Sequence, residues 1–189
     1  FDGNLIHTRH LNHPRPMFAE IPEALSSISH WFDDMVNSKN PDGKKPSVIH
    51  PLSEVSDIVY NISHLMTLDV DFWDDYNTYL KRIAGSLGYD LDTLLTITIY
   101  KYNFRLGQGK SQKNYDQENL IMESLLSQKN HEGKPKIPTP NETQLQKTFH
   151  TLSEIQMLLN TRLKQLEQQH AWKKDTTIPP PPESYTTGY

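Results

Sequence analysis

Apolar residues recur at intervals of three and four positions along most of the chain, which is the spacing of one face of an α-helix. The first such segment starts at Pro22, and proline is favoured at the first position of a helix. The last segment starts with a capping box formed by Thr139 and Glu142. The predicted helices span residues 22–36, 51–68, 72–86, 92–105, 116–128 and 141–170.

One segment has the composition of a β-strand. Leu95–Tyr100 reads LTITIY and is rich in β-branched residues. It lies between a capping aspartate, either Asp90 or Asp92, and an end that is rich in Lys and Arg, and these flanks favour a helix. The pattern therefore predicts an all-α protein, a helical bundle with a long C-terminal helix.

Clusters of proline, glycine and polar residues divide the chain into five parts. We expect an extended N-terminal arm over residues 1–20 and a helical bundle over residues 21–128. A linker over residues 129–140 leads to the C-terminal helix, residues 141–170. Residues 171–189 are rich in proline and are predicted to form a tail.

Composition and charge exclude several classes of protein. The chain has 189 residues, of which 35% are hydrophobic, and this is enough for one modest core. It has no cysteine, which excludes a disulfide framework and a thiolate metal site. The net charge of −4 argues against a nucleic-acid polymer as partner, and no apolar run is long enough to span a membrane. The opening stretch is too rich in His and Arg for a signal peptide, so we expect a cytoplasmic protein whose native start precedes Phe1.

A leucine recurs every seven residues along the last predicted helix. This spacing is typical of a helix that packs along another helix, either in the same chain or in a second copy. The leucines of this seam are Leu145, Leu152, Leu159 and Leu166. A lone four-helix unit would cover the polar faces of the other helices poorly, so we expect a homodimer or a higher homo-oligomer.

Two carboxylates stand one helical turn apart in the second predicted helix. Glu54 and Asp57 lie at the edge of its apolar stripe, where their oxygens can bind one hard divalent cation. Acidic residues near a helix start also stabilise the helix while they face water, so the pair has a structural alternative. The first helix supplies further carboxylates, and one of its flanks carries polar side chains at helical spacing. The candidates on the first helix are Glu20, Glu23, Ser27, His30 and Asp34.

Two segments resemble motifs of a known superfamily. SEVSDIVYNISHL, which carries Glu54 and Asp57, resembles the second metal-binding motif of the all-α nucleoside triphosphate pyrophosphohydrolases. This superfamily includes the MazG proteins and the dimeric dUTPases. LGYDLDTLLTITIYKYNFRLGQG resembles the segment in which these families place a helix that ends in Lys, Asn and Arg. The resemblance covers about residues 20–107.

The resemblance implies an enzyme that converts an NTP or dNTP to NMP and pyrophosphate, with Mg²⁺ as its cofactor. The implied metal ligands are Glu20, Glu23, Glu54 and Asp57. We expect Glu23 also to accept a proton from the attacking water. The implied substrate contacts are Lys101 and Arg105 to the phosphates and Asn61 and Asn103 to the sugar or base.

The first acidic motif departs from the pattern of the family. It should lie inside a helix, but Pro22 puts Glu20 at or before the predicted helix start, in which case Asp34 is the substitute ligand. An additional predicted helix, residues 72–86, separates the two matching segments. These departures favour the alternative of a non-catalytic helical interaction protein, which uses the bundle and the C-terminal helix for assembly.

Overall fold

The computed structural model describes the backbone of residues 14–36, 47–107 and 115–175, and the side chains of residues 21–36, 47–104 and 117–169. Within these ranges the chain forms six α-helices and no strand, so the predicted all-α bundle with a long C-terminal helix is confirmed. The helices are α1 (Pro14–Val36), α2 (Ile49–Leu68), α3 (Trp73–Ser86), α4 (Leu91–Gly107), α5 (Tyr115–Leu126) and α6 (Glu142–Asp175). A short 3-10 turn, Val70–Phe72, precedes α3.

Helix α2 is the centre of the bundle, because α1, α3, α4 and α5 all pack against it. Its apolar residues point in several directions, which is typical of a helix surrounded by others. Those that are at most 1% exposed include Leu52, Val55, Ile58, Val59 and Ile62. The hydroxyl of Ser56 donates to the carbonyl of Leu52 one turn earlier, so this polar group is satisfied within the helix. Because four helices surround α2, a charged side chain in its middle is buried as well.

Helix α1 begins at Pro14, so the start predicted at Pro22 is wrong. Pro14 and Pro16 lie in the first turn. Backbone N–H groups in the first turn have no acceptor within the helix, so proline, which has no N–H, loses no hydrogen bond there. Pro22 is inside the helix, where it removes one hydrogen bond without ending the helix. Residues 14–20, predicted as part of the arm, are thus helical, and residues 171–175, predicted as part of the tail, belong to α6. Residues 1–13 of the arm and residues 176–189 of the tail lie outside the described residues.

Helix α4 contains the β-branched segment that could have been a strand. Asp90 caps it, since its Oδ1 accepts a hydrogen bond from the backbone N–H of Thr93 at 2.7 Å. The hydroxyls of Thr96 and Thr98 donate to carbonyls one turn earlier, which satisfies them inside the helix. The helical prediction for this segment is confirmed.

A Schellman motif ends α3 and turns the chain towards α4. Gly88 has a φ of 78°, a conformation that L side chains rarely adopt. Its N–H donates to the carbonyl of Gly85, and the N–H of Tyr89 donates to that of Ala84. A Cβ at Gly88 would lie 2.6 Å from Nε2 of Gln144, so glycine also permits the close approach of α6.

The capping box of α6 lies two residues beyond the predicted one. The backbone N–H of Asn141 donates to Oε1 of Gln144 at 2.9 Å, and the N–H of Gln144 donates to Oδ1 of Asn141 at 2.8 Å. This reciprocal pair has the geometry that was predicted for Thr139 and Glu142. The capping box predicted at Thr139 and Glu142 is therefore wrong. The carbonyl of Pro138, just before Thr139, accepts a hydrogen bond from the Tyr89 hydroxyl at 2.6 Å.

The leucine seam of α6 packs against helices of its own chain. α6 lies along α1 and α3, and Leu145, Leu152 and Leu159 are each 1% exposed. Leu166, near the end of the seam, is partly exposed. Of the two alternatives for the leucine seam, packing within the same chain is therefore confirmed for these three leucines. None of the described helices is long and apolar enough to cross a membrane.

A buried acidic residue joins α6 to the corner between α2 and α3. Asp69 receives two hydrogen bonds from the guanidinium of Arg162, both at 2.7 Å, and one from the hydroxyl of Tyr76 at 2.6 Å. Arg162 also lies 3.9 Å from the centre of the Phe72 ring. Burial alone would raise the pKa of Asp69, but the hydrogen bonds from Arg162 and Tyr76 outweigh it and hold that pKa below its usual value.

We predict that Arg162→Ala lowers the free energy of unfolding by about 3–5 kcal/mol, because it leaves a buried carboxylate without its cation. Arg82→Ala is the matched control, since Arg82 pairs with Glu154 at the surface and such pairs contribute about 0–1 kcal/mol. Urea denaturation followed by circular dichroism measures both. Equal losses in the two variants would contradict the stabilising role of this corner.

Candidate functional site

Glu54 and Asp57 are buried inside the bundle, each only 2% exposed. They stand one turn apart on α2, as the spacing predicts. They do not face water, so the alternative of a solvated pair near a helix start does not describe them. Two carboxylates in such a position need either hydrogen bonds or a cation to offset the loss of hydration.

Asp57 accepts hydrogen bonds from two side chains of α4. The ammonium of Lys101 lies 2.8 Å from Oδ1 of Asp57 and 2.8 Å from the carbonyl oxygen of Ser53. The hydroxyl of Tyr102 donates to the same carboxylate oxygen. Lys101 is 1% exposed. It lies about two turns after the buried Leu94 and so on the same face of α4, the helix that packs against α2. Burial of both charges makes the net stabilisation by such a pair small, although removal of one partner is costly.

A tyrosine stack supports the hydroxyl that contacts Asp57. The rings of Tyr60 and Tyr102 lie 3.7 Å apart between centroids, with their planes 6° apart. Neither tyrosine is predicted from the sequence as a site residue. Tyr60 follows Asp57 by three positions and so shares its face of α2, a signal that could have identified it. Tyr102 gives no such signal, because adjacent helix residues point about 100° apart.

Two side-chain contacts fix the register of α1 against α2, which run antiparallel. The indole Nε1 of Trp31 donates to the carbonyl of Ser47 at 2.9 Å. Ser27 lies one turn before Trp31 on α1, and His50 lies about one turn after Ser47. Oγ of Ser27 is 2.8 Å from Nε2 of His50. At this end of the two helices a step backwards along α1 thus corresponds to a step forwards along the chain that enters α2.

Glu23 lies one turn before Ser27 on α1, and Glu20 lies almost one turn further back. The described side chains of Glu23, Glu54 and Asp57 form no group that could hold a metal ion, so the structure does not bring Glu23 to the pair on α2. Glu20 lies well inside α1, so the expectation that Pro22 excludes it from the helix is wrong. The side chain of Glu23 is exposed, and that of Glu20 lies outside the described residues.

The remaining predicted contacts are distributed over two helices. Asn61 is buried on α2, one turn after Asp57. Asn103 is exposed on α4, because two positions along a helix turn it about 200° from Lys101. Arg105 belongs to α4, but its side chain lies outside the described residues. The structure therefore brings Asp57 and Lys101 together and does not bring Asn103 to them.

The described side chains include no group of three or more His, Asp or Glu residues placed to hold a metal ion. Glu54 and Asp57 are nonetheless the hard oxygen donors that Mg²⁺ prefers. Mg²⁺ is commonly held by one or two carboxylates together with substrate phosphates and water. The chemistry of this pair therefore fits the protein part of such a site.

An open cleft of about 520 Å³ lies between α1 and the start of α2. The residues that line it are Ser27, His30, Trp31, Asp34, Ser47 and His50. Burial lowers the pKa of His50 below its usual value, the positive charge of Lys101 lowers it further, and Asp34 partly offsets both. His50 is thus neutral at physiological pH. Asp34, the predicted substitute metal ligand, is exposed at this cleft.

Comparison with known proteins gives no relative. No protein-family model matches the chain, and neither a curated protein nor a solved structure matches it significantly. The resemblance to the pyrophosphohydrolases consequently depends on the two sequence segments alone.

We predict that Asp57→Asn destabilises the fold by about 3–5 kcal/mol, because it leaves the Lys101 ammonium buried without its counter-charge. The double variant Asp57→Asn with Lys101→Met removes that charge and should recover much of the loss. Asp33→Asn, an exposed acid on α1, is the matched control and should change stability by less than about 0.5 kcal/mol. Urea unfolding of the four chains measures this coupling, and a double variant less stable than Asp57→Asn would contradict it.

We predict that His50 makes the fold less stable in acid. The unfolded chain protonates His50 near its ordinary pKa of 6.5, whereas the folded chain does so only at lower pH. The unfolded state therefore binds more protons below about pH 6.5, and the free energy of unfolding falls as the pH drops through this window. His50→Gln should flatten this dependence between about pH 7 and 5 in thermal unfolding. His131→Gln, at an exposed loop position, is the control, and equal slopes in both variants would refute the assignment.

Proposed function

We propose that this protein is a Mg²⁺-dependent nucleoside triphosphate pyrophosphohydrolase, which converts an NTP or dNTP to NMP and pyrophosphate. The observation that carries the proposal is that Glu54 and Asp57 lie buried one turn apart on α2, with the Lys101 ammonium bonded to Asp57. α1, which packs against α2, carries Glu20 and Glu23, and helical bundles bind metals with acidic residues from neighbouring helices. The sequence resemblance predicts the same four residues.

The electrostatics around Asp57 also support the proposal. A buried ion pair stabilises a fold poorly, so its presence in the most buried helix favours a role beyond stability. In the proposed site Glu54 and Asp57 hold Mg²⁺ from α2, and Glu20 and Glu23 contribute from α1. Lys101 supplies positive charge beside them, which favours a phosphate chain at this place.

The proposed reaction breaks the bond between the α-phosphorus and the oxygen that bridges to the β-phosphate. Water attacks the α-phosphorus, and the pyrophosphate leaves with the bridging oxygen. Glu23, an exposed carboxylate on α1, is proposed to accept the proton of this water. Bound Mg²⁺ would supply charge neutralisation for the leaving pyrophosphate. Arg105 is proposed to contact the phosphates and Asn61 the sugar or base. Asn103 is exposed and turned away from Lys101, so it is left out of the proposed site.

We predict that Glu54→Gln lowers kcat/KM for the preferred nucleotide by about 10²–10³, because the amide is a poor ligand for Mg²⁺. The substitution preserves shape, so circular dichroism should show an intact fold. A panel of NTPs and dNTPs, assayed for released pyrophosphate with Mg²⁺ and with excess EDTA, measures the effect. The exposed Asp33→Asn variant should retain full activity. Unchanged activity of Glu54→Gln, or activity in EDTA, would overturn the metal assignment.

A non-catalytic helical interaction protein is the second candidate. Two observations favour it: the described side chains bring no third His, Asp or Glu to Glu54 and Asp57, and Lys101 already neutralises Asp57. If no nucleotide in the panel yields pyrophosphate while the wild-type chain is folded, this candidate is the better one. The expected homo-oligomer stays a prediction under both candidates, and the three buried leucines of α6 are not available to form it.

A further inference from the structure

We infer that Lys101 is a built-in counter-ion that weakens the binding of a free divalent cation to the acidic pair, so that Mg²⁺ enters the site together with the phosphates of the nucleotide. This inference deepens the proposed function and rests on it for the identity of the ligand. The ligand it assigns to the site is the magnesium complex of a nucleoside triphosphate, in place of a resident metal ion. The evidence is the set of contacts around Asp57 and their burial.

The ammonium of Lys101 has oxygen neighbours of the kind that bind a hard cation. Its Nζ lies 2.8 Å from Oδ1 of Asp57 and 2.8 Å from the backbone carbonyl oxygen of Ser53. Carboxylate and carbonyl oxygens are also ligands of hard divalent cations. Lys101 therefore supplies, from within the chain, the positive charge that a metal ion would otherwise supply to Asp57.

Tyr102 and the surrounding helices hold this arrangement in place. The Tyr102 hydroxyl donates to the same carboxylate oxygen, Oδ1, and its ring is stacked on that of Tyr60 with 3.7 Å between the centroids. Lys101 is 1% exposed and Tyr102 is 6% exposed. A lysine that left Asp57 would have to bury its charge elsewhere among packed side chains, which is unfavourable. The pair therefore stays formed when a divalent cation is offered from solution.

The ammonium opposes the binding of a second cation to Asp57. A divalent cation on this carboxylate would lie only a few ångströms from Nζ, and like charges repel more strongly inside a protein than in water. Among the side chains that the structure describes, no third His, Asp or Glu joins Glu54 and Asp57 to offset this repulsion. Free Mg²⁺ also gives up its water reluctantly.

The phosphates of a nucleotide remove both obstacles. Mg²⁺ is commonly held by one or two carboxylates together with substrate phosphates, which supply the oxygen ligands that the protein lacks. The negative charge of a triphosphate also offsets the repulsion between the metal and Lys101. The metal and the nucleotide are therefore expected to bind cooperatively, each raising the affinity of the chain for the other.

The first test measures the binding of Mn²⁺, as a probe for Mg²⁺, to the full chain without nucleotide. Electron paramagnetic resonance of the free ion follows the titration. We expect the wild-type chain to bind Mn²⁺ with a Kd of about 1 mM or weaker, the weak end of oxygen-ligand sites. Lys101→Met should bind it at least about tenfold more tightly, because a nearby like charge has been removed. Asp57→Asn with Lys101→Met is the matched control, which lacks both charges and should bind Mn²⁺ weakly again.

Thermal unfolding gives a second readout of the same exchange. Lys101→Met leaves the Asp57 carboxylate buried without its cation, so this variant is destabilised. Mn²⁺ should raise its Tm, because the ion binds the folded state, and should leave the Tm of the wild-type chain and of the double variant unchanged. If Lys101→Met folds only when Mn²⁺ is present, that result supports the inference equally. A variant whose binding and folding do not respond to Mn²⁺ overturns the role of Lys101.

A third measurement addresses the nucleotide. The α,β-methylene analogues of the NTPs cannot be cleaved at the proposed bond, so calorimetric titration with them reports binding alone. We expect binding in Mg²⁺ to be at least about tenfold tighter than in EDTA, as the cooperativity requires. Equal binding in the two conditions overturns the joint entry of metal and nucleotide.

The outcomes separate this inference from the proposed function. Low-micromolar binding of Mn²⁺ to the wild-type chain without nucleotide overturns the inference, while hydrolysis of a nucleotide by the same chain preserves the enzyme. A gain of Mn²⁺ binding in Lys101→Met, in a chain that neither binds the analogues nor hydrolyses a nucleotide, supports the counter-ion role of Lys101 and overturns the proposed function.

Discussion

The buried ion pair between Asp57 and Lys101 is the constraint on which the arrangement of the bundle depends. Four helices cover α2, so a carboxylate in its middle loses its hydration and requires a cation from a neighbour. α4 supplies that cation, and the carbonyl of Ser53 and the hydroxyl of Tyr102 complete the contacts. A slip of one residue along α4 would turn Lys101 away by about 100°, so the pair also fixes how α4 lies on α2.

Helix α1 packs against α2, the helix that carries Asp57, and α6 in turn packs along α1. Because α1 extends back to Pro14, both Glu20 and Glu23 belong to this helix. α6 packs along α1 and is joined to the α2–α3 corner through Arg162. The wall of the cleft formed by α1 is thus held from both sides, by α2 and by α6. A cleft between two helices needs such support, because a shift of one helix changes the shape of the cleft.

Hydrophobic periodicity was sufficient to predict the helices and the bundle. The β-branched segment of α4 was assigned to a helix from its flanks, a capping aspartate at Asp90 or Asp92 and a basic end, and the structure shows Asp90 as the cap. The prediction failed at helix ends: α1 starts before Pro22, and the cap of α6 is Asn141 and not Thr139. Pro22 and Thr139 both suit a helix start by residue type. Residue type does not show which of several such residues caps the helix, whereas the reciprocal hydrogen bonds of Asn141 and Gln144 do.

For the site, the sequence by itself determined angles within single helices. It showed that Glu54 and Asp57 share a face and that Lys101 belongs to the basic end of another helix. Only the tertiary structure decided that these carboxylates are buried, that Lys101 bonds to Asp57 and that Asn103 points elsewhere. The physical reason is that the 3.6-residue period relates side chains on one helix, while burial and pairing depend on which helix covers that face. That choice is made by the packing of the whole bundle, in which the contacts join residues far apart in the chain.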